Sequence, residues 1–135
     1  MITDAPMTAG LLDTSVFIAR ESGRPLDLTA VPDRAGVSVI TVAELRLGVL
    51  QAPDDETRSR RLSTLAAAQR LEPLPITEAV AAAWALLRRR LRHAGLRMEV
   101  NDSWIAATAM AHGMAVVTQD HEFPDGVPGL TVIRV

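Results

Sequence analysis

Four acidic residues stand where their carboxylates could meet and hold a metal ion. Asp13 ends an apolar segment, Glu44 and Asp102 lie near predicted helix starts, and Asp120 follows a β-branched segment. Carboxylate oxygens are hard ligands that select Mg²⁺ or Mn²⁺ over softer metals. Such ions polarise a phosphate and lower the pKa of an attacking water. The chemistry indicated is therefore hydrolysis of a phosphodiester.

Each of these acids also has an ordinary structural explanation. Asp13, Glu44 and Asp102 could simply favour the positive end of a helix, and Asp120 could be a turn residue. The metal-site hypothesis therefore depends on the four acids lying together rather than on any one of them.

The hydrophobic pattern predicts strands that alternate with helices. Predicted strands cover residues 9–13, 37–40, 114–118 and 130–135, and residues 74–76 form an extended link or edge strand. Predicted helices cover residues 14–21, about 41–51, 53–71, 77–95 and 102–111, with Thr41 and Asn101 as expected N-caps. This alternation predicts an α/β domain with a mainly parallel sheet and helices on both faces.

The predicted topology gathers the four acids at one edge of the sheet. Crossover helices run antiparallel to the strands, so helix N-termini lie over the carboxyl ends of the strands, where ligands bind in open α/β sheets. Four carboxylates in one place repel each other, and some would be protonated unless a cation neutralised them.

Composition excludes several other classes of chemistry. The chain has 135 residues, a usual size for one domain, and no cysteine, so disulfides, thiol catalysis and Cys-type zinc sites are excluded. Every basic residue other than histidine is Arg, which excludes lysine chemistry, and the net charge of −2 argues against broad capture of nucleic acid. With no leader-like start and no long apolar run, we expect a cytoplasmic protein without a membrane segment.

Four segments form an ordered pattern that covers nearly the whole chain. They span residues 11–18 (LLDTSVFI), 41–48 (TVAELRLG), 101–109 (NDSWIAATA) and 117–123 (VTQDHEF), and Pro128-Gly129-Leu130 closes the pattern. Together they resemble the PIN-domain ribonucleases, specifically the VapC-type toxins of type II toxin–antitoxin pairs.

The resemblance implies a fold, a site and partners. The fold would be a three-layer α/β/α domain over residues 1–135, with a parallel sheet of four to five strands and residues 1–9 as an extension. Asp13 and Asp102 would bind Mg²⁺, or Mn²⁺ in its place, and Glu44 and Asp120 would complete the acidic site. Supporting roles would fall to Thr118, Thr14, Ser15 and Glu122. The activity would be endoribonuclease cleavage, inhibited by a VapB-like antitoxin, in a homodimer or an antitoxin-bridged assembly.

Arginines on the fourth predicted helix are further candidates for substrate binding. Arg88 and Arg92 are four residues apart and share one helix face, where they could contact RNA phosphate or an acidic antitoxin segment. A solvated helix face is the simpler explanation of both residues. Trp84 and Trp104 are expected to pack rather than to stack on bases.

The residues present argue against two other classes of function. Phosphoryl transfer of the receiver-domain type needs a lysine, which is absent, and an aspartate-nucleophile phosphatase needs a second acid where this chain has Ser15. A regulatory protein with a degenerate site would have lost one or more of the four acids, and all four are present.

Overall fold

The structure, a computed structural model, describes residues 9–135. Its strands are β1 (Ala9–Leu12), β2 (Arg34–Gly36), β3 (Ala115–Thr118) and β4 (Val132–Arg134). Its helices are α1 (Thr14–Glu21), α2 (Val39–Leu50), α3 (Asp55–Gln69), α4 (Glu78–Ala94) and α5 (Val100–Ala111), with a short 3₁₀ helix at Leu28–Ala30. Of the expected extension over residues 1–9, only Ala9 lies within the described residues, where it opens β1.

The four strands form one parallel sheet in the order β2-β1-β3-β4. In the register, Leu11 of β1 pairs with Gly36 on one side and with Val116 of β3 on the other. Parallel neighbours require crossover connections, and helices supply them here. The predicted parallel α/β/α architecture with at least four strands is therefore confirmed.

Helices cover both faces of the sheet because successive strand residues point to opposite sides. Leu11 belongs to a core cluster with residues of α4, α5 and the loop before β4, whereas Leu12 packs against a second cluster built from α1, α2 and α3. The two clusters place the sheet between two helical layers. In the part of the chain that the structure describes, no helix is long and apolar enough to cross a membrane.

The start of α2 differs from the sequence prediction. Residues 37–40 were expected to be a strand, but β2 ends at Gly36 and α2 begins at Val39. Ser38 is the N-cap, and its Oγ accepts a hydrogen bond of 3.0 Å from the backbone N–H of Ile40. The prediction of Thr41 as N-cap was therefore wrong, and Glu44 lies in the second turn rather than the first.

The start of α5 is also earlier than expected. The helix begins at Val100, Glu99 occupies the N-cap position without a side-chain cap bond, and Asn101 is helical. The prediction of Asn101 as N-cap was therefore wrong. The ends of α4 follow the prediction, since Thr77 caps its first turn and Gly95 ends it in a left-handed conformation (φ 67°).

Candidate active site

The buried carboxylate of Asp13 is held directly after β1. Its backbone N–H donates to the Val117 carbonyl of β3 at 2.8 Å, so the chain is fixed where the two central strands end. Its Oδ2 accepts hydrogen bonds from Ser15 Oγ at 2.7 Å and Thr118 Oγ1 at 2.9 Å. The side chain is 2% exposed. Three residues from two elements thus fix the orientation of this carboxylate.

The two hydroxyls that hold Asp13 also order the loop after β3. Ser15 Oγ accepts from the backbone N–H of Gln119, and Thr118 Oγ1 accepts from that of Asp120, each at 2.9 Å. Since both hydroxyl protons point to Asp13, these oxygens are free to accept. The network couples the position of Asp120 to that of Asp13.

Glu44 reaches the same edge from α2. Its Oε1 accepts a hydrogen bond of 2.7 Å from Thr14 Oγ1, and its Oε2 lies 3.5 Å from Asn101 Nδ2 of α5. Thr14 Oγ1 is also 2.9 Å from Thr41 Oγ1. Because the Thr14 proton goes to Glu44, Thr41 is the donor to Thr14. The carboxylate is thus held between α1 and α5.

The electrostatics of the site converge on Asp102, the third residue of α5. Burial, followed by the negative charges of Asp13, Glu99, Asp120 and Glu44, raises the pKa of Asp102 from its ordinary value of 3.8 to about 7. All the other predicted acidic ligands therefore lie close enough to disfavour its charge. Burial and the four neighbouring carboxylates all act in the same direction on the pKa of Asp102.

The opening to solvent is a depression of about 290 Å³. Asp102, Asp120, Glu99 and Glu122 line it together with Arg97 and Met98. Asp13 and Glu44 are not part of its lining. Glu122 contributes its backbone N–H to Asp120 Oδ1 at 2.8 Å and is itself exposed at the rim.

Two observations bear on whether these residues fit a divalent ion. Within residues 9–135, Asp13 Oδ1 is the one buried side-chain N or O atom without a hydrogen-bond partner. In the same range, no three Asp, Glu or His side chains come close enough together to enclose a metal ion. Mg²⁺ keeps several waters and needs only one or two carboxylates. An unpartnered buried carboxylate oxygen beside a half-buried Asp102 fits that requirement.

Arg88 and Arg92 do not line this depression. They line an adjoining groove along α4, where Arg88 Nη1 lies 3.3 Å from the Met98 carbonyl and its guanidinium lies over the ring of Trp84. Trp84 in turn stacks on Trp104 with ring centroids 4.6 Å apart, in agreement with the expected packing role of both rings.

Sequence reasoning missed two residues of this region. Thr41 was assigned to a helix cap, yet it is buried and hydrogen-bonded to Thr14. Arg97, which had no assigned role, is the one cation lining the depression among the described residues. Its position just before α5 was the available signal, since this helix start carries Asp102.

Comparison with known proteins places the chain in a family. The family model described as "PIN domain" matches residues 10–126. Two relatives from Mycobacterium tuberculosis are Ribonuclease VapC4, 55% identical over 93% of this chain and 95% of its own length, and Ribonuclease VapC5, 48% identical over 94% and 96%. A crystal structure of VapBC-5 from the same species, described as a member of the VapBC family of toxin-antitoxin systems, has a TM-score of 0.87 at 45% identity. The structural match covers 95% of this chain and 99% of the matched chain.

The fold, the acidic edge and the family match define the class of protein: the chain belongs to the PIN-domain family. Within that family it is a VapC-type member, because near-complete relatives at 48–55% identity carry that name.

Proposed function

We propose that this protein is a metal-dependent endoribonuclease and the toxin of a type II toxin–antitoxin pair. The observation that carries the proposal is the buried carboxylate of Asp13, which has an unpartnered oxygen, close to an Asp102 whose charge is disfavoured by its neighbours. The names of the relatives support the reaction class, since two near-complete relatives are named ribonucleases.

Each residue of the site has a distinct task in this proposal. Asp13 and Asp102 would hold the ion, Mg²⁺ or Mn²⁺, and Glu44 and Asp120 would complete the acidic site. A bound ion would polarise the phosphate, lower the pKa of the attacking water and stabilise the leaving oxygen. Ser15 and Thr118 keep Asp13 in one orientation, and Thr14 does the same for Glu44.

The proposed partner is a VapB-like antitoxin that inhibits the nuclease. The matched crystal structure is described as belonging to a family of toxin-antitoxin systems, which supports such a partner. We further propose a toxin homodimer, joined by antitoxin into a larger assembly. Co-expression with the adjacent upstream gene, followed by size-exclusion chromatography with light scattering, tests both parts.

Cleavage assays on purified protein test the catalytic proposal. We expect the wild-type protein to cut cellular RNA in Mg²⁺ or Mn²⁺ and to be inactive in EDTA. Asp13→Asn and Asp102→Asn should each reduce cleavage more than about 100-fold, beyond the loss typical of outer-shell changes. Sequencing the 5′ ends of the fragments would identify the cleaved RNA and position.

Controls keep this test decisive. Asp33→Asn changes an exposed acid directly before β2, at the opposite edge of the parallel sheet from the strand ends that precede Asp13 and Asp120, and should cleave at the wild-type rate. Asp13 is buried and Asp102 only half-buried, so Asp102→Asn remains informative if Asp13→Asn does not fold. Full activity in EDTA, or in folded Asp102→Asn protein, would refute the proposal.

A further inference from the structure

A basic groove adjoins the acidic depression. It has a volume of about 1030 Å³ and follows the second half of α4 and the turn after it. Its lining carries the cationic side chains Arg88, Arg89, Arg92 and Arg97. Arg97 and Met98 line both the groove and the depression, so the two form one continuous surface.

Most of this positive charge is not neutralised by the protein. Among the arginines in residues 9–135, only Arg60 and Arg134 form ion pairs with carboxylates. Arg89, Arg92 and Arg97 are exposed. Arg97 forms no ion pair within that range even though four carboxylates line the same depression. Its guanidinium is therefore available to an external anion.

The wall of the groove is anchored to the helix that carries Asp102. Trp84 stacks on Trp104 of α5 with an interplanar angle of 8°, and its Nε1 donates to Ser103 Oγ at 2.9 Å. Arg88 covers Trp84 at 5.7 Å and donates to the Met98 carbonyl. Because its guanidinium is already engaged, Arg88 holds the turn in place rather than binding ligand.

We propose that the groove binds the RNA backbone and that Arg97 binds a phosphate at the entrance to the carboxylates; this inference rests on the proposed function. A molecule with a net charge of −2 and an acidic site repels a polyanion unless local positive charge compensates. The groove supplies that charge next to the site. A guanidinium binds phosphate oxygens through two parallel hydrogen bonds, which fixes orientation as well as position.

Binding in EDTA tests this inference independently of cleavage. The probe is a short fluorescein-labelled single-stranded RNA of mixed sequence, titrated at several KCl concentrations. Arg92→Ala and Arg97→Ala should each weaken binding roughly five- to tenfold and reduce the slope of log affinity against log salt by about 0.7. Arg97→Lys should restore part of the loss. Arg58→Ala, which removes an exposed arginine of α3 outside the groove, should bind as the wild type does.

Steady-state cleavage in Mg²⁺ separates the two arginines. Arg92→Ala should raise KM with kcat nearly unchanged, because it removes binding that ground and transition states share. Arg97→Ala should also lower kcat, because its phosphate lies at the carboxylates.

Several results would overturn the inference. The first is wild-type RNA affinity and salt slope in both Arg92→Ala and Arg97→Ala, and the second is an equal loss of RNA affinity in Arg58→Ala. The third is a change in oligomeric state in Arg92→Ala, which would indicate that the groove is an interface between copies of the chain. A wild-type protein that cleaves no RNA would defeat the proposed function. Normal cleavage with unaffected groove variants would defeat only this inference.

Discussion

Thr118 uses both hydrogen-bonding capacities of its hydroxyl at the candidate site. It donates to Asp13 Oδ2 and accepts from the backbone N–H of Asp120, each at 2.9 Å, and it is fully buried. Thr118→Val keeps the shape but leaves the Asp120 N–H without its acceptor and removes one donor from Asp13. We expect RNA cleavage to fall about 10- to 100-fold and the free energy of unfolding to fall by about 1–3 kcal/mol.

Thr108 provides the matched control. It is also fully buried, but its hydroxyl donates only to the Trp104 carbonyl within α5, at 2.8 Å. Thr108→Val should leave the cleavage rate unchanged, as measured in the same assay. Equal rates in wild type and Thr118→Val would show that this hydroxyl does not orient the site.

For single residues, the sequence predicts the positions of those that directly follow strands. It does not predict contacts between residues that are far apart in the chain. Asp13 and Asp120 follow strands that the hydrophobic pattern predicts, so their shared edge could be deduced. The Thr14–Thr41 bond joins residues 27 positions apart on two helices. No spacing rule encodes such a contact, because it depends on how α1 and α2 pack.

Among the elements, β1 is held closely by its neighbours at Gly10. A Cβ built at Gly10 would lie 2.6 Å from Val117 Cγ2 of β3 and 3.1 Å from two atoms of Pro32. Gly10→Ala therefore requires the Val117 side chain or the backbone around it to shift, and should destabilise the protein by about 1–3 kcal/mol, typical of overpacking. Urea unfolding monitored by circular dichroism measures this change.

Gly48 in α2 is the matched control for Gly10. The nearest atom to a Cβ there is Arg61 Cδ at an ordinary 3.8 Å. Because alanine is the better helix former, Gly48→Ala should stabilise the protein by about 0.5–1 kcal/mol. An unchanged stability in Gly10→Ala would contradict the tight packing of β1 on β3.

Helix and strand identities were mostly predictable, whereas two helix starts were not. Val39 and Ile40 are β-branched, which favours a strand locally, yet they form the first turn of α2. Ser38 decides the outcome because it caps the helix while its neighbour Val37 enters the core with α2 and α3. Tertiary packing of this kind overrides local propensity, and a single sequence does not reveal it.

For the molecule as a whole, the acidic edge sets how stability depends on pH. The pKa of Asp102 is raised to about 7 by burial and by neighbouring carboxylates, so the folded protein binds this proton more tightly than the unfolded chain. Between pH about 4 and pH about 7 the folded state keeps a proton that the unfolded state has released. Stability therefore falls as pH rises through this interval, and the full penalty is present above it.

We expect metal-free protein to be less stable at pH 8 than at pH 5 by on the order of 1–2 kcal/mol from Asp102, after allowance for partial solvent screening. Denaturation in EDTA at both pH values measures the difference, and Asp102→Asn isolates this contribution because the other titrating groups remain. The variant should be more stable than wild type at pH 8, and its advantage should be clearly smaller at pH 5, where folded wild type still keeps the Asp102 proton.

Divalent ions should reverse the pH effect, because an ion that binds only the folded state stabilises it by mass action. Saturating Mg²⁺ or Mn²⁺ should therefore raise the melting temperature of the wild type more at pH 8 than at pH 5, where protonated Asp102 competes with the ion. Asp102→Asn should lose most of this response while remaining folded. If the ions stabilise wild type and variant equally at pH 8, Asp102 does not bind them, and the proposed pairing of Asp102 with Asp13 as ion ligands is wrong.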